Sequence, residues 1–494
     1  MIKGIRPSLR MLDDALVSAI IDESLELLEK VGVYVENAGA MELLRESGAA
    51  PVDASRRVCV PRRLVEQALS TAPHEIMLFD ASGGKSYRVG GDDVHFDPGS
   101  AALRIFDHDA QSEREATTAD VVRFSRLTQK LDNYHFQSTG LMSSDVPELI
   151  TDSYRLFVGL HYCTKPVVTG TFVVEGFAPM YEMLKAVRGG AAELRKMPMA
   201  IFDACPSPPL TWSNLTTQSV IDCARAGIPS EFVAMPLTGA TSPVTITGAL
   251  VQHTAENLTG LVISQLASPG APAIFGGSPA SFDMRTGNPP MGAMETMMID
   301  SAYAQIGKAL GLPTHAYLGL SDAKCVDAQA GFETGIGAVL GALSGINVIS
   351  GGGMMDFESC QSLEKLVIDN EIAGMAYRLI EGIHQREEPM ALGVFAELAG
   401  GTDFLTLDNT LRWYRLEHSF PRIVDRGNHQ QWADGGKPTL ADRAAKEVER
   451  LLSQPAAPLV EKGLADELQR IMSSHAKQYG MEKLPVRNSR PWHN

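Results

Sequence analysis

The chain has 494 residues, 44% hydrophobic and 21% charged, with a formal net charge of −16. That balance argues against disorder and for a large buried core. The negative charge disfavours a nucleic-acid surface; it serves solubility and mildly attracts cations. No apolar run reaches the roughly 18 residues of a membrane span, and Met1 to Arg10 lead into no signal-peptide core, so a cytoplasmic protein is expected. The six cysteines, at 59, 163, 205, 223, 325 and 360, include no Cys-x-x-Cys pair. They fit free thiols better than a disulfide framework or a zinc site.

In chain order, Leu12, Leu16, Ile20, Leu27 and Val31 recur at helical spacing, with Gly32 as a stop signal. Further helices are predicted over Ala40 to Glu46 and, opened by a proline, over Pro61 to Thr71. Between Lys85 and Asp107 short β-rich runs, among them Val94 to Asp97, are separated by Gly-Gly-Asp and Pro-Gly-Ser turns, which predicts a small antiparallel insertion. After Thr118 brief apolar strands alternate with longer helical stretches. The predicted strands are Tyr134 to Ser138, Val167 to Thr171, Met199 to Ala204, Glu231 to Met235, Ala273 to Gly276, Thr314 to Leu318, Ile346 to Ser350 and Leu392 to Ala396. Their starts lie roughly thirty to forty-five residues apart, the rhythm of parallel βα units.

The spacing predicts an α/β (β/α)8 TIM barrel over residues 118–425. An N-terminal helical and β-hairpin region (1–117) precedes it and a C-terminal helical extension (426–494) follows. An open doubly wound sheet is the alternative, weakened by the lack of a Gly-x-Gly-x-x-Gly or Gly-Lys-Ser/Thr loop. Helices are predicted over Leu440 to Leu452 and Leu464 to His475, with a loose or docked tail from Pro485.

Several strand ends run into glycine or polar text, including Gly276-Gly277-Ser278 and Gly351-Gly352-Gly353, and a barrel would gather them at one mouth, where glycine lets a backbone approach a bulky ligand. The densest polar text follows the sixth strand. There Asp322 and Lys324 stand just beyond His315 and Tyr317, so a cation, a carboxylate and an imidazole could share a cavity and tune one another. Lys324 reads either as a Schiff-base or carboxylate-clamping lysine or as an ion-pair partner of Asp322 or Asp327. His315 reads as a site residue or a core histidine, according to which way its strand points it. His253 and Glu256 share a helical face, but no zinc signature accompanies them, and no protein-bound metal is expected.

Ser321-Asp322-Ala323-Lys324 with Asp327-x-Gln329-Ala330-Gly331-x-x-Glu333, Gly351-Gly352-Gly353-Met354-Met355, and the run from Leu363 to Ile372 together resemble the trimethylamine methyltransferase family. So do Thr164-Lys165-Pro166, Cys205-Pro206-x-x-Pro209-Leu210 and the segment from Met235 to Thr245. The resemblance covers most of the chain and implies a barrel enzyme that passes a methyl group from a small methylated amine to the cob(I)alamin of a separate corrinoid protein. Members acting on trimethylamine carry pyrrolysine near the sixth or seventh strand, whereas this chain reads through with ordinary residues.

The resemblance therefore implies a quaternary, betaine-like donor, and a homo-oligomer is expected. His315, Asp322, Lys324 and Gln329 are its candidate catalytic residues. Phe96, Asp97, Trp212, Tyr317, Asp356 and Phe357 are candidates for the donor, with Trp212 expected to face the mouth. Gly276, Gly277, Gly351, Gly352, Gly353 and Met355 are candidates for the corrinoid face. The rival readings are a Schiff-base lyase or aldolase using Lys324 and a non-catalytic betaine-binding barrel.

Overall fold

The computed structural model describes residues 4–52, 56–398, 400–401, 403–454 and 459–485. Strands and helices alternate through its centre: β1 (His95–Pro98), α1 (Thr118–Lys130), β2 (Gln137–Ser138), α2 (Thr151–Tyr162), β3 (Val167–Gly170), α3 (Phe177–Arg188), β4 (Ala200–Ala204), α4 (Asn214–Ala226), β5 (Ser230–Ala234), α5 (Ile246–Ala267), β6 (Ala273–Gly277), α6 (Met294–Ala309), β7 (His315–Tyr317), α7 (Ala328–Ser344), β8 (Val348–Gly352) and α8 (Leu363–Glu381). All pairings among these strands are parallel. β2 to β6 form one sheet in chain order, and β7, β8 and β1 form another. Isolated parallel bridges, Phe275 to Thr314 and Phe96 to Tyr134, join the two sheets at both ends. This is an α/β fold built on parallel sheets, and the strands are buried along their length, as sheets covered by helices require.

Two strand assignments made from sequence are corrected. Leu392 to Ala396 is not a strand but part of the helix Leu392–Leu398, in which Val394 is buried while Leu392 and Phe395 face outward. A short apolar run without clear period fits either state, and here too few of its side chains find a core. The parallel position is filled by β1, expected in the antiparallel insertion. His95 N donates to Asn347 O at 2.9 Å and begins a parallel register with Val348. Its neighbours do form hairpins, Glu75–Phe79 with Ser86–Gly90 and Arg104–Asp107 with Ser112–Glu115. The turn signals were real, but they punctuate two hairpins on either side of a parallel strand.

The N-terminal helices Asp14–Lys30, Ala38–Glu46 and Arg62–Thr71 lie against α5, and Ser24 Oγ donates to Val251 O at 3.0 Å. That cover explains why α5 is apolar on all sides and buried over most of its length. A small sheet unforeseen in the sequence ties this region down, with Val33–Val35 parallel to Thr211–Trp212. At the other end Leu440–Leu452 packs on α8 and α1, and Lys462–Gln478 on α3 and α2. Residues 486–494 of the expected tail lie outside the described residues. Among the described residues no helix is long and apolar enough to cross a membrane.

Candidate active site

Alternation along the strands decides which side chains meet. On β1 Phe96 points outward and packs edge-on to Tyr377 of α8, centroids 5.3 Å apart. Its neighbour Asp97 points inward and accepts from Ser350 Oγ of β8 at 2.6 Å. Ser350 Oγ also lies 3.0 Å from His315 Nε2 on β7. His315 Nδ1 is in turn 3.0 Å from Glu231 Oε1 of β5, a close but poorly aligned approach. Glu231 is the register partner of Asp203 on β4. The result is one buried row, Asp97, Ser350, His315, Glu231 and Asp203, across the interior of the parallel strands.

Burial sets its protonation. Lack of solvent holds the Asp97 carboxyl far above its usual range and lowers the His315 imidazole to about 3. Asp203 and Glu231 are raised first by burial, and mutual repulsion raises Glu231 further. Ser350 Oγ thus stands between the Asp97 carboxyl and His315 Nε2, while His315 Nδ1 faces Glu231.

A cavity of about 300 Å³ opens at the Asp203 end of this row, at the carboxyl ends of the strands. Asp203, Tyr317, Arg155, Phe172, Ser278 and Glu358 are among its walls. Asp203 Oδ1 and Glu358 Oε1 are buried without a hydrogen-bond partner among the described residues. Burial lifts the Glu358 carboxyl to about 7, as it does that of Asp203. The Tyr317 hydroxyl is fixed by Ser100 Oγ at 2.7 Å.

Glu358 ends an unusual turn. Asp356, Phe357 and Glu358 have φ of 48°, 53° and 67°, three successive non-glycine residues in the left-handed region. Such backbone persists only where its surroundings overdetermine it. Asp356 N donates to Ala323 O at 3.1 Å, Ser359 Oγ donates to Asp356 Oδ2 at 2.8 Å, and Lys324 Nζ sits 3.2 Å from Asp356 Oδ1 and 3.8 Å from the Phe357 ring centroid. Lys324, Asp356 and Phe357 thus meet as a clasp holding Glu358 to the cavity.

The Lys324 side chain itself is 60% exposed and does not line the cavity, so it resolves to an ion-pair residue whose partner is Asp356 rather than Asp322 or Asp327. This placement counts against a Schiff-base lysine, which needs a desolvated pocket. Lys324→Ala is expected to change folding stability by less than about 1 kcal/mol in a denaturant melt, as for other exposed pairs.

The remaining polar text after β7 ties loops together. Asp322 accepts from Met291 N and Gly292 N at 3.0 and 2.8 Å, with its carboxyl raised by burial to about 6. Glu333 accepts from Ser321 Oγ, Asp322 N and Gln329 Nε2. Neither Asp322 nor Gln329 lines the cavity.

Trp212, expected at the mouth, is 0% exposed and stands edge-on to Phe232 at 6.0 Å, beneath Gly260. Its strand pairs with the N-terminal region, so the ring faces core rather than cavity. His253 stacks on Tyr303 at 4.1 Å, and Glu256 accepts from Leu210 N at 2.8 Å, so each has a packing or loop-fixing role.

The strand-end glycines also have an internal explanation. A Cβ on Gly276 would lie 2.9 Å from His315 Nδ1, on Gly277 2.3 Å from His253 Nε2, on Gly352 2.3 Å from the Tyr134 hydroxyl, and on Gly353 2.5 Å from Gln361 Oε1. Gly351, at φ 121°, sits against Leu320. Met355 beside them is fully buried. Protein atoms thus stand where a Cβ at these glycines would lie. Gly277→Ala should therefore lower stability by about 1–3 kcal/mol in urea unfolding, through overpacking against His253 and Ala234 O.

Of the residues in this row and around the cavity, the sequence suggested Asp97, His315 and Tyr317 as candidates but not Arg155, Asp203, Glu231, Ser350 or Glu358. The signal was present for two of them. Glu231 is a charge inside the apolar strand Ser230–Ala234, and Arg155 one directly before the apolar run from Leu156 to Leu160.

A parallel α/β scaffold with a small, mostly apolar cavity at its strand ends, into which a few buried ionisable groups are set, fits an enzyme of small molecules. The chain matches the family described as Trimethylamine methyltransferase (MTTB) over residues 1–480, and it belongs to that family. It is 30% identical to trimethylamine methyltransferase MttB of Desulfitobacterium hafniense (strain DSM 10664 / DCB-2), with 94% of each chain covered. It is 28% identical to glycine betaine methyltransferase of Desulfitobacterium hafniense (strain Y51), covering 96% of this chain and 99% of the relative. The crystal structure of Methanosarcina barkeri monomethylamine methyltransferase (MtmB) shares the fold, with a TM-score of 0.50 at 13% identity over 91% of this chain and 95% of that one. The protein is a methyltransferase.

Proposed function

We propose that the eight parallel strands close as a (β/α)8 barrel and that the enzyme takes a methyl group from a quaternary amine and passes it to the corrinoid of a separate protein. The bridges Phe275 to Thr314 and Phe96 to Tyr134 support closure. The barrel then begins at β1, ahead of residue 118, and its last helix ends at Glu381. Six free cysteines fit the cytoplasmic setting expected from sequence.

The observation that carries the donor assignment is the pair of unpartnered carboxyl oxygens, Asp203 Oδ1 and Glu358 Oε1, on one small cavity. A buried carboxyl oxygen without a partner is costly unless a ligand completes it, and a methylated ammonium does so without needing a hydrogen-bond donor. Phe172 and Tyr317 add ring faces that a quaternary nitrogen favours, at about 0.5–2 kcal/mol each. Room for a compact amine matches the cavity, and the corrinoid, a macrocycle far larger than it, stays on its own protein as the acceptor. The acceptor supplies a strong nucleophile when bound. This chain's residues orient the amine, exclude water and hold its charge.

A quaternary nitrogen already carries the charge that makes a neutral amine its leaving group, so no acid catalyst is needed to release it. The ordinary residues throughout the β7 and β8 segments fit that simpler demand. The test is a panel of quaternary, tertiary and secondary methylamines with added cob(I)alamin, followed by its visible spectrum. Turnover with a quaternary amine is expected. Turnover with trimethylamine or dimethylamine and none with any quaternary amine would overturn the donor assignment.

A further inference from the structure

One helix on the flank of the parallel strands is apolar on both faces, yet only one face is covered. α7 carries a single charged residue, Glu333, whose side chain turns to Ser321 and Gln329. Its inner stripe, from Ala330 through Thr334 and Gly337 to Gly341, is buried, with Gly337 against Leu318 and Gly341 against Ile349. The opposite stripe runs Phe332, Ile336, Val339, Leu340 and Leu343, the repeat of one helical face. Phe332 and Ile336 are 56% and 39% exposed, and the other three are partly exposed. Solvent-facing positions on α3, α4 and α6 hold Glu182, Arg225 and Glu295 instead.

A helix that is apolar all round belongs in an interior. α5 has that character and is wrapped by the N-terminal helices. α7 packs on α6, α8 and β8, and residues 6–9 cross its last turn, where Arg6 Nη2 donates to Ala342 O at 2.7 Å and Leu9 N to Leu343 O at 2.9 Å. The stripe ahead of that turn stays open.

The open apolar surface continues beside it. On α8 Met375 and Leu379 face outward, and in the segment that follows Ile383, Leu392, Phe395, Leu405 and Leu411 are each more than 60% exposed. The helix Asp408–Glu417 in that segment buries none of its side chains. The segment is fixed all the same, by Arg386 on Glu417, Trp413 on Glu387 and Phe395 edge-on to Phe404 at 5.2 Å. These side chains together expose apolar surface on the order of 1,000 Å². That exceeds the roughly 300–600 Å² of a monomer's largest patch and matches the roughly 800 Å² that each partner gives to a standard interface.

We propose that a second copy of this chain covers the α7 stripe, in a two-fold interface that also takes in the outer face of α8 and the segment from Ile383 to Phe420. Permanent interfaces between like subunits are the apolar ones, resembling a core cut in half, whereas partners that come and go meet on more polar surfaces. A two-fold axis presents one patch to itself, so the open stripe and the open segment of each chain meet apolar surface on the other. The stripe faces away from the strands, and covering it leaves the cavity at their carboxyl ends accessible.

Sedimentation equilibrium of the full-length protein in the micromolar range tests this. The expected mass is twice the 53.2 kDa of one chain, or a larger even multiple. Ile336→Glu and Leu411→Glu each place a charge from both subunits in a desolvated interface and should raise the dissociation constant at least about a hundredfold, lowering the mass at the same concentration. Leu149→Glu, at a 48% exposed apolar position ahead of α2, should leave it unchanged. A wild type with the mass of one chain, or of an odd number of chains, would overturn the proposal, the first by giving this face to a different partner. An assembly that survives both interface variants, with helicity confirmed by circular dichroism, would place the contact elsewhere. Should Ile336→Glu fail to fold, Leu411→Glu decides alone, since its side chain is 72% exposed in the single chain.

Discussion

Asp203→Asn is expected to raise the dissociation constant for a quaternary amine roughly thirtyfold or more while leaving kcat unchanged or slightly higher. The size follows from losing one charge-assisted contact in a desolvated site, about 2 kcal/mol. The split between the constants follows from the chemistry. The nitrogen is fully cationic in the bound donor and loses its charge as the methyl group departs. A carboxylate beside it therefore holds the ground state at least as firmly as the transition state, and such binding lowers KM without raising kcat. A fall in kcat of tenfold or more, with KM unmoved, would instead make Asp203 a proton donor to the leaving amine.

The same variant checks folding. Asparagine resembles the protonated aspartic acid that burial favours in the empty site. The Asp203 carboxyl is raised to about 7 in the folded chain and ordinary in the unfolded one, so between those values the folded state holds more protons. Wild-type stability should fall as pH rises from about 4 to about 7 through this group. In thermal melts across that window, Asp203→Asn should lose less stability than wild type.

What the sequence disclosed follows from the range of its signals. β3 to β6 were legible because each is a compact apolar run with a turn at its end and a full helix after it. β1 was not, since its run Val94 to Asp97 lies between two true hairpins, and parallel pairing with β8 joins residues far apart in sequence. The converse error, a strand over Leu392 to Ala396, came from hydrophobicity that the fold leaves largely exposed. At the site, His315 and Asp97 were visible as chemistry, but their connection through Ser350 was not, because a serine on a buried strand looks like spacing. The Asp322 to Glu333 motif drew attention by its density of polar groups. Its bonds give that density a loop-building part, because a tight loop satisfies its own backbone amides with those same carboxylates. The glycine clusters likewise have a packing part, since the missing Cβ makes room for His315, His253 and Tyr134.

Affinity for a quaternary amine should rise with pH across neutrality, by about tenfold between pH 6 and 8 for each carboxyl that must ionise. Asp203 and Glu358 both sit near 7 because burial penalises their charged forms. A bound cation reverses that penalty, so the donor enters as a cation and a proton leaves. Below about pH 6 both carboxyls are protonated and the cation must displace protons to bind; above about pH 8 the seat is already anionic. When the methyl group has gone, the product is a neutral amine facing an anion without a counter-charge. Recapture of a proton by the carboxyl then weakens the product's hold relative to the donor's. Calorimetry in two buffers of different ionisation enthalpy reads this directly, with release of about 0.8 proton per ionising carboxyl for each donor bound expected near pH 6.5 and little at pH 8.5. Glu358→Gln should reduce the released fraction while the clasp of Lys324 on Asp356 and Phe357 keeps the turn in place. A dissociation constant that is flat from pH 6 to 8.5, with no proton released, would mean that the cation is seated on ring faces alone.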